Sequence, residues 1–357
     1  MLFCRSEYSR KSLAIGNARD DNREMPSNNS SPAEVVGVGI NATDTIIRLP
    51  HFPALDSKVE LIGAERKAGG QTASAIVACQ RWGLRTRYIG KIGDDDAGKF
   101  QVNEMAREGV DAHWLVAPGC LSQSAFILVD EKSGERTVLW KRDPAIAIQP
   151  ADLRCEWIEG ARVLLVDGHD TSAAALAAQW AREKGSLVVG DFDNRYAGVE
   201  ALLAHTDFAI TSKDFPERLT GEKNLLKSLP MIHAEFKCRL MGATIGRRGV
   251  IVWDGIKFRL CPGYRVRAVD TTGAGDIFHG AFAYSLVRQW SAEQTLEFSC
   301  AAAALNCESQ GARGGIAALV EIERLRHRGE RSELAFSDAE LNDAARAAAG
   351  SRGNTGQ

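Results

Sequence analysis

The sequence predicts an α/β protein, in which a mostly parallel sheet lies between layers of helices and a small β-sheet forms a lid. From Arg162 to Ile210, apolar strands and amphipathic helices alternate, an order typical of parallel strands joined by helical crossovers. The apolar run Glu34–Ile40 suits a strand buried on both faces. Residues 122–130 and 135–141 read as a β-hairpin, which supplies the predicted lid.

Composition limits the possible functions. With 357 residues, the chain can form one large domain and a smaller accessory one. A net charge of -2 provides no general basic field, so we expect a small ligand and no nucleic-acid partner. The eight cysteines lack the spacing of zinc sites. No apolar run reaches the roughly 18 residues of a membrane span, and no signal peptide is evident, so we expect a cytoplasmic protein without a membrane partner.

The domain boundaries follow from changes in composition. Polar and aperiodic residues predict disordered tails at 1–33 and 331–357, and the sequence leaves open whether Met25 is the true start. Between the tails we expect an α/β core interrupted by the lid. The core takes residues 34–43, 67–120 and 142–330, and the lid takes residues 44–66 and 121–141.

The stretch Arg267–Leu286 predicts a site for anions. It reads as a strand at Val266–Val269, a glycine turn at Gly273–Gly275 and a helix with Asp276 at its N-cap. Backbone N–H groups and the positive end of the helix dipole would face a ligand over the turn. With a carboxylate beside it, the turn suggests phosphoryl transfer, although in isolation Asp276 could serve only as a cap and the glycines only as a turn.

Two other glycine motifs suggest different functions. Residues 37–42 match the dinucleotide fingerprint, but residues 43–53 are β-branched and hold two prolines where that fingerprint needs a helix, so a dehydrogenase is a remote alternative. Gly93–Phe100 imitates a P-loop, and we reject it because Phe100 replaces the required Ser or Thr and three carboxylates would repel phosphates.

The sequence D-T-T-G-A-G-D at Asp270–Asp276 resembles the C-terminal signature of the ribokinase-like (PfkB) family of carbohydrate kinases. Residues 68–75 resemble the N-terminal signature of that family, and Gly134–Thr137 resembles its lid motif. Residues 212–214 and 306–311 are similar to ketohexokinases. The resemblance implies a ribokinase-like α/β/α sandwich and an ATP-dependent sugar kinase.

The resemblance also implies roles for individual residues. Asp276 would be the general base, and Gly273, Ala274 and Gly275 would stabilise the γ-phosphoryl group. The sugar would contact Asp44, Gly69, Gly70 and Ser74. The nucleotide would contact Thr244, Gly246, Gly249 and Asn306. Asp44 could instead be a turn residue, Ser74 stands where the family often has Asn, and Arg247 and Arg248 could bind phosphate or simply face water.

The metal shell departs from the family pattern. Ser212 and Phe215 stand where many members have the Asn and Glu that serve Mg²⁺. Asp191 and Asp214 are the remaining candidates for that role. Asp270 and Thr272 match the family's K⁺ site, but Ser309 and Gly315 replace side chains that usually complete it, so dependence on a monovalent cation stays open.

Three further questions stay open. The acceptor could be a ketose such as fructose, a ribose-like sugar or a nucleoside, and the ketohexokinase-like residues favour a ketose. A sugar- or nucleotide-binding regulatory protein of the same fold, with weak catalysis, is an alternative to an active kinase. An exposed edge of the lid sheet could pair two copies into a homodimer.

Overall fold

The structure is a computed structural model that describes residues 32–132 and 136–352. The disorder predicted for residues 1–33 therefore falls outside the described residues, apart from Pro32 and Ala33. The predicted lid turn lies partly outside as well, because residues 133–135 are not described.

Thirteen strands and ten α-helices form the part of the chain that the structure describes. The strands are β1 (Val35–Val38), β2 (Ala42–Leu49), β3 (Gly63–Gly69), β4 (Thr86–Gly93), β5 (Asp111–Ala117), β6 (Ser124–Asp130), β7 (Arg136–Lys141), β8 (Val163–Asp167), β9 (Leu187–Phe192), β10 (Phe208–Ser212), β11 (Leu240–Thr244), β12 (Val250–Trp253) and β13 (Phe258–Cys261). The helices are α1 (Gln71–Arg81), α2 (Asp96–Arg107), α3 (Thr171–Glu183), α4 (Val199–Leu203), α5 (Phe215–Thr220), α6 (Leu225–Phe236), α7 (Ala274–Val287), α8 (Ala292–Asn306), α9 (Leu319–Arg328) and α10 (Asp338–Arg352).

The large sheet has nine strands in the order β13-β12-β11-β10-β9-β8-β1-β4-β5. From β11 to β5 every neighbouring pair is parallel, and only the pairs β11–β12 and β12–β13 are antiparallel, so β12 alone runs against the other eight strands. The predicted alternation from Arg162 corresponds to β8-α3-β9-α4-β10. The expectation of a mostly parallel sheet is therefore confirmed.

Helices cover both faces of this sheet because successive strand residues point in opposite directions. In β1, Val35 packs into a cluster with α1, α7 and α8, whereas Val36 packs into a second cluster with α3 and α6. Both valines are almost completely buried. None of the described helices is long and apolar enough to cross a bilayer.

The second sheet is separate and has the order β3-β2-β6-β7. The predicted hairpin is confirmed as the antiparallel pair β6 and β7, and β6 lies parallel to β2. The lid strands extend past the predicted boundaries, because β2 begins at Ala42 and pairs with Gly69 at the end of β3. The lid therefore leads directly into the glycine pair before α1.

The two other glycine motifs have structural roles. After Gly39 the chain enters β2 and not a helix, so the dinucleotide fingerprint lacks the helix that a dehydrogenase site needs. In the second motif, Asp95 caps α2, and its Oδ1 accepts a hydrogen bond of 2.9 Å from the Gly98 N–H.

The prediction of a disordered tail at 331–357 is wrong for residues 338–352, which form α10, and residues 353–357 lie outside the described residues. Ser337 starts this helix, with its N–H donating to Glu340 Oε2 at 2.8 Å and its hydroxyl accepting from the Glu340 N–H at 3.3 Å. Leu341 and Ala344 pack beside the cluster that includes α6. The low hydrophobicity of this segment gave no indication of a helix, because its small residues become buried only when they pack beside the cluster that includes α6.

Candidate active site

The turn at residues 273–276, named the catalytic turn here for its predicted role, begins at Gly273, the N-cap of α7. Its φ is 75°, and a Cβ there would collide with the Ala312 carbonyl, so the turn requires glycine at this position. Gly275 differs, since its missing Cβ would meet no atom within 4 Å. The surface over Gly275 is therefore open to a ligand, and the first-turn N–H groups of α7 face this end of the helix.

Two details of the predicted turn were wrong. Residues 266–269 form no strand, because Val269 and Asp270 donate their N–H groups to the Cys307 carbonyl at the end of α8. Asp276 is the third residue of α7 and not its N-cap, since Gly273 takes that position. Its carboxylate still lies in the first turn, where the helix dipole favours negative charge.

The pKa of Asp276 is raised to about 7. Burial is the largest cause, and the negative charge of Asp191 adds to it, while His279 and Arg313 act in the opposite direction. A carboxylate with a pKa near neutrality can accept a proton and release it again at physiological pH.

Asp191 lies next to this turn, at the end of β9. Its Oδ2 is 3.3 Å from His279 Nδ1, which also lies 2.7 Å from the Gly275 carbonyl oxygen. Burial raises the pKa of Asp191 well above its usual range. The predicted residue Asp214 is placed differently, since it is exposed before α5 and its side chain does not cap that helix.

Asp44 lies against Gly69, the residue before Gly70, and these three predicted sugar contacts are called the sugar floor below. Asp44 is buried in β2, and a Cβ on Gly69 would collide with its carboxylate. Gly70 has a φ of 94°, and a Cβ there would lie 2.6 Å from the Asn41 Cα. Burial raises the pKa of Asp44 to about 6, with the charge of Arg313 opposing the rise. The negative charge of Asp44 also raises the pKa of Asp276, which indicates that the two carboxylates share one region.

Arg313 lies outside every predicted motif, although it has a central place in this floor. Its Nε donates to Ser74 Oγ at 3.2 Å, and its Nη2 donates to the Gly69 carbonyl at 2.7 Å and to Asn41 Oδ1 at 3.1 Å. Only 7% of Arg313 is exposed, and burial lowers its pKa to about 10, so it remains charged at neutral pH. The predicted sugar contact Ser74 thus also accepts a hydrogen bond from an arginine. The feature of the sequence that could have indicated a role for Arg313 is its position as a single arginine within the glycine-rich stretch 311–315.

A cavity of about 830 Å³ lies on the other side of the turn. Three predicted nucleotide residues, Thr244, Gly246 and Gly249, line it together with Ala274 and Gly275. Arg247 and Arg248, which could bind phosphate or face water, also line it. The remaining lining residues are Gly263, Tyr264, Arg265, Val266, Ala268, Thr271, Phe278, Cys300, Ala303, Ala304, Cys307, Ser332 and Glu333. The cavity therefore extends from the catalytic turn into a mainly apolar recess.

Asn306 has a different position from the predicted one. Its Nδ2 donates to the carbonyl oxygens of Thr272 and Ala312 at 3.2 Å each, and its Oδ1 accepts from the Gly315 N–H at 3.2 Å. Because Asn306 is fully buried, its side chain braces the catalytic turn from behind and does not form the cavity wall.

The predicted monovalent-cation residues are paired with an arginine from the lid. Arg136 Nη1 donates to Asp270 Oδ1 at 2.9 Å and to Thr272 Oγ1 at 2.5 Å. Asp270 Oδ2 accepts from the Gly311 N–H at 2.9 Å. Burial alone would raise the pKa of Asp270, but these hydrogen bonds and the charge of Arg136 bring it below its usual range.

Comparisons with known proteins identify the family of this chain. Residues 33–318 match the model of the pfkB family carbohydrate kinases. A ribokinase of Haemophilus influenzae is 30% identical over 298 residues, covering 81% of this chain and 96% of the relative. A putative ribokinase from Agrobacterium tumefaciens has a solved structure with a TM-score of 0.78 at 28% identity, covering 83% of this chain and 98% of that one. A putative ribokinase II from E. coli, solved in complex with ATP and Mg²⁺, has a TM-score of 0.72 at 20% identity, covering 83% of this chain and 99% of that one. The chain therefore belongs to the PfkB family of carbohydrate kinases, which transfer a phosphoryl group to a sugar hydroxyl.

Proposed function

We propose that this chain transfers the γ-phosphoryl group of ATP to a hydroxyl of a sugar, with Asp276 as the general base. The observation that carries the proposal is the position of Asp276, whose pKa is about 7, beside the buried Asp44 floor and on the turn that lines the large cavity. A base must reach the acceptor hydroxyl and leave the path from its oxygen to the phosphoryl donor open, and this turn lies between the proposed sugar floor and the proposed ATP cavity.

In this mechanism, Asp44 and the backbone at Gly69 and Gly70 hold the sugar. Asp276 takes the proton of the acceptor hydroxyl as the new O–P bond forms and the bond to the leaving ADP breaks. The N–H groups of Gly273, Ala274 and Gly275 stabilise negative charge on the transferred group. The lid excludes water, which would otherwise accept the phosphoryl group.

Mg²⁺ bound to ATP would neutralise the phosphate charge in this reaction. Among the described residues, no group of three or more Asp, Glu, His and Cys side chains could hold a metal ion directly. We therefore propose that Asp191 acts through water, with Asp193 Oδ1 as a second acceptor, because that atom is buried and has no hydrogen-bond partner within the described residues. Asp214 is a weaker candidate because it is exposed.

We propose that Arg136 takes the place of a monovalent cation at Asp270 and Thr272. Its guanidinium already neutralises Asp270 and contacts the Thr272 hydroxyl. Turnover should then be nearly the same with and without K⁺, and a strong dependence on K⁺ would contradict this replacement.

The acceptor that we propose is a small polyhydroxylated sugar, either a ketose such as fructose or a ribose-like sugar. Asp44, Gly69 and Gly70 suit any such ligand, since a buried carboxylate accepts hydrogen bonds from hydroxyls. A screen of sugars and nucleosides for sugar-dependent ADP release identifies the substrate. Absence of ADP release with every acceptor, despite measurable ATP binding, would argue against a kinase.

The alternative is a regulatory protein of the same fold that binds sugar or nucleotide with little turnover. The departures at Ser212 and Phe215 favour it, since Phe215 is fully buried against Phe192 and offers no metal-shell oxygen. Isothermal titration together with an ADP-release assay distinguishes the two functions, because a pure binder gives heat with sugar and releases no ADP.

We further propose that two copies pair through the lid. Strand β7 is exposed along its whole length, and Phe126, Leu139 and Trp140 of the lid are 52%, 53% and 61% exposed. An exposed apolar sheet edge invites strand pairing. Light scattering should give the mass of a dimer, and Trp140→Glu should shift it toward the monomer if the proposal is correct.

A further inference from the structure

The chain continues beyond the family match and returns to the large cavity. The match ends at residue 318, whereas residues 330–332 lie antiparallel to residues 263–265. The Arg265 N–H donates to the Glu330 carbonyl at 2.9 Å, and the Ser332 N–H donates to the Gly263 carbonyl at 2.8 Å. This pairing adds a short extended segment to the loop that forms one wall of the cavity.

Arg331 anchors the added segment. Its guanidinium carbon lies 3.8 Å from the centroid of the Tyr264 ring, a close cation–π contact. Its Nη1 donates to the Pro262 carbonyl at 3.0 Å, and its Nη2 lies 3.3 Å from Glu297 Oε1. A side chain held at three points fixes the backbone that follows it, so Ser332 and Glu333 have defined positions.

Ser332 and Glu333 line the same cavity as Thr244 and the catalytic turn. The phosphate end of a nucleotide has to meet the N–H groups of that turn. A carboxylate repels phosphate, so Glu333 suits the opposite, nucleoside end. The apolar Ala303 and Ala304 also line the cavity and offer a surface for a flat base.

We propose that residues 330–333 form part of the nucleotide site and that Ser332 and Glu333 accept hydrogen bonds from the nucleoside half of ATP. The donors would be the exocyclic amino group of adenine or the ribose hydroxyls, which share this chemistry. The inference rests on the proposed function of the cavity as the ATP site. It assigns a role in substrate selection to a segment outside the family match.

Ser332→Ala, Glu333→Gln and the double variant test the proposal through binding of ADP, measured by isothermal titration, which requires no turnover. Glu235→Gln is the matched control, because Glu235 is an exposed glutamate on α6 outside the cavity lining. We expect the double variant to weaken ADP binding about tenfold, as loss of hydrogen bonds to a charged acceptor does. The control should bind like the wild type.

Two analogues identify the donor. If Glu333 accepts from the amino group, the wild type should prefer ADP to IDP and the double variant should lose that preference. If it accepts from the ribose, the lost preference is the one between ADP and 2′-deoxy-ADP. Unchanged ADP affinity in the double variant would overturn the inference and leave the nucleotide site intact. If the wild type binds no ADP, the proposed function fails together with the inference.

Discussion

The pH dependence of turnover tests the role of Asp276 most directly. Its pKa is raised from 3.8 to about 7, so the carboxylate should be about nine-tenths ionised near pH 8 and about one-tenth ionised near pH 6. A general base works only when ionised. We therefore expect kcat/KM to fall about tenfold for each pH unit below 7.

The assay is sugar-dependent ADP release at saturating Mg²⁺ between pH 5.5 and pH 8.5. Asp276→Asn should lower kcat by a factor on the order of 10² to 10⁴. The remaining activity should no longer fall as the pH drops below 7, which is the part of the profile called the acid limb. Asp56→Asn is the control, since Asp56 lies in an exposed loop and has a positive φ that asparagine also tolerates.

Two results would refute this reasoning. A wild-type profile that is flat from pH 5.5 to pH 8 would show that no group with a pKa near 7 is required. An Asp276→Asn protein with more than about a tenth of wild-type kcat would exclude Asp276 as the base, because a positioned base contributes at least about 10².

Three other predictions follow from the same charges. Arg313→Gln removes a positive charge, so it should raise the pKa values of Asp44 and Asp276, shift the fall in activity at low pH upward by about half a pH unit to one pH unit, and raise the sugar KM. Arg313→Lys should restore the wild-type pH profile in part, and a profile that Arg313→Gln leaves unchanged would limit Arg313 to a packing role. Arg136→Met should lower turnover, and K⁺ but not choline should raise the turnover of this variant, whereas neither cation should change the turnover of the wild type. A variant whose turnover does not depend on K⁺ would contradict the proposal that Arg136 replaces a cation. The folded state binds the proton of Asp276 more tightly than the unfolded state does, so the free energy of unfolding falls as pH rises from about 4 to about 7. The Tm of Asp276→Asn relative to the wild type should therefore rise from pH 4 to pH 7, and a constant Tm difference over that range would argue against the raised pKa.

The sequence predicted those parts of the site that depend on local geometry. Gly273 and Gly70 have positive φ values that only glycine adopts easily, and a Cβ on Gly69 would collide with Asp44, so these glycines are visible as motifs. The parallel sheet was predictable for a similar reason, since each strand and helix carries its own periodicity.

Other parts depend on contacts between distant segments, which no local pattern encodes. Arg313 meets Asn41 across 272 positions of the chain, and Arg136 meets Asp270 across 134. The helix α10 was missed because alanines give little apolar signal until a neighbouring helix covers them. Long-range pairings of this kind are decided by the fold and not by the propensity of either segment.

The loop 311–315 contacts both halves of the proposed site. The Gly311 N–H donates to Asp270, and the Ala312 backbone packs so closely on Gly273 that no side chain fits there. One side of the loop is thereby tied to the catalytic turn through two successive residues.

The next residue of the loop is tied to the sugar floor instead. Arg313 donates to the Gly69 carbonyl and to Ser74, both in the segment that packs on Asp44. Three consecutive residues therefore link the proposed sugar floor to the proposed base, and they set the separation between Asp44 and Asp276. Because a small misplacement of reacting groups lowers the rate strongly, a change that shifts this loop should reduce kcat even when it leaves both carboxylates intact.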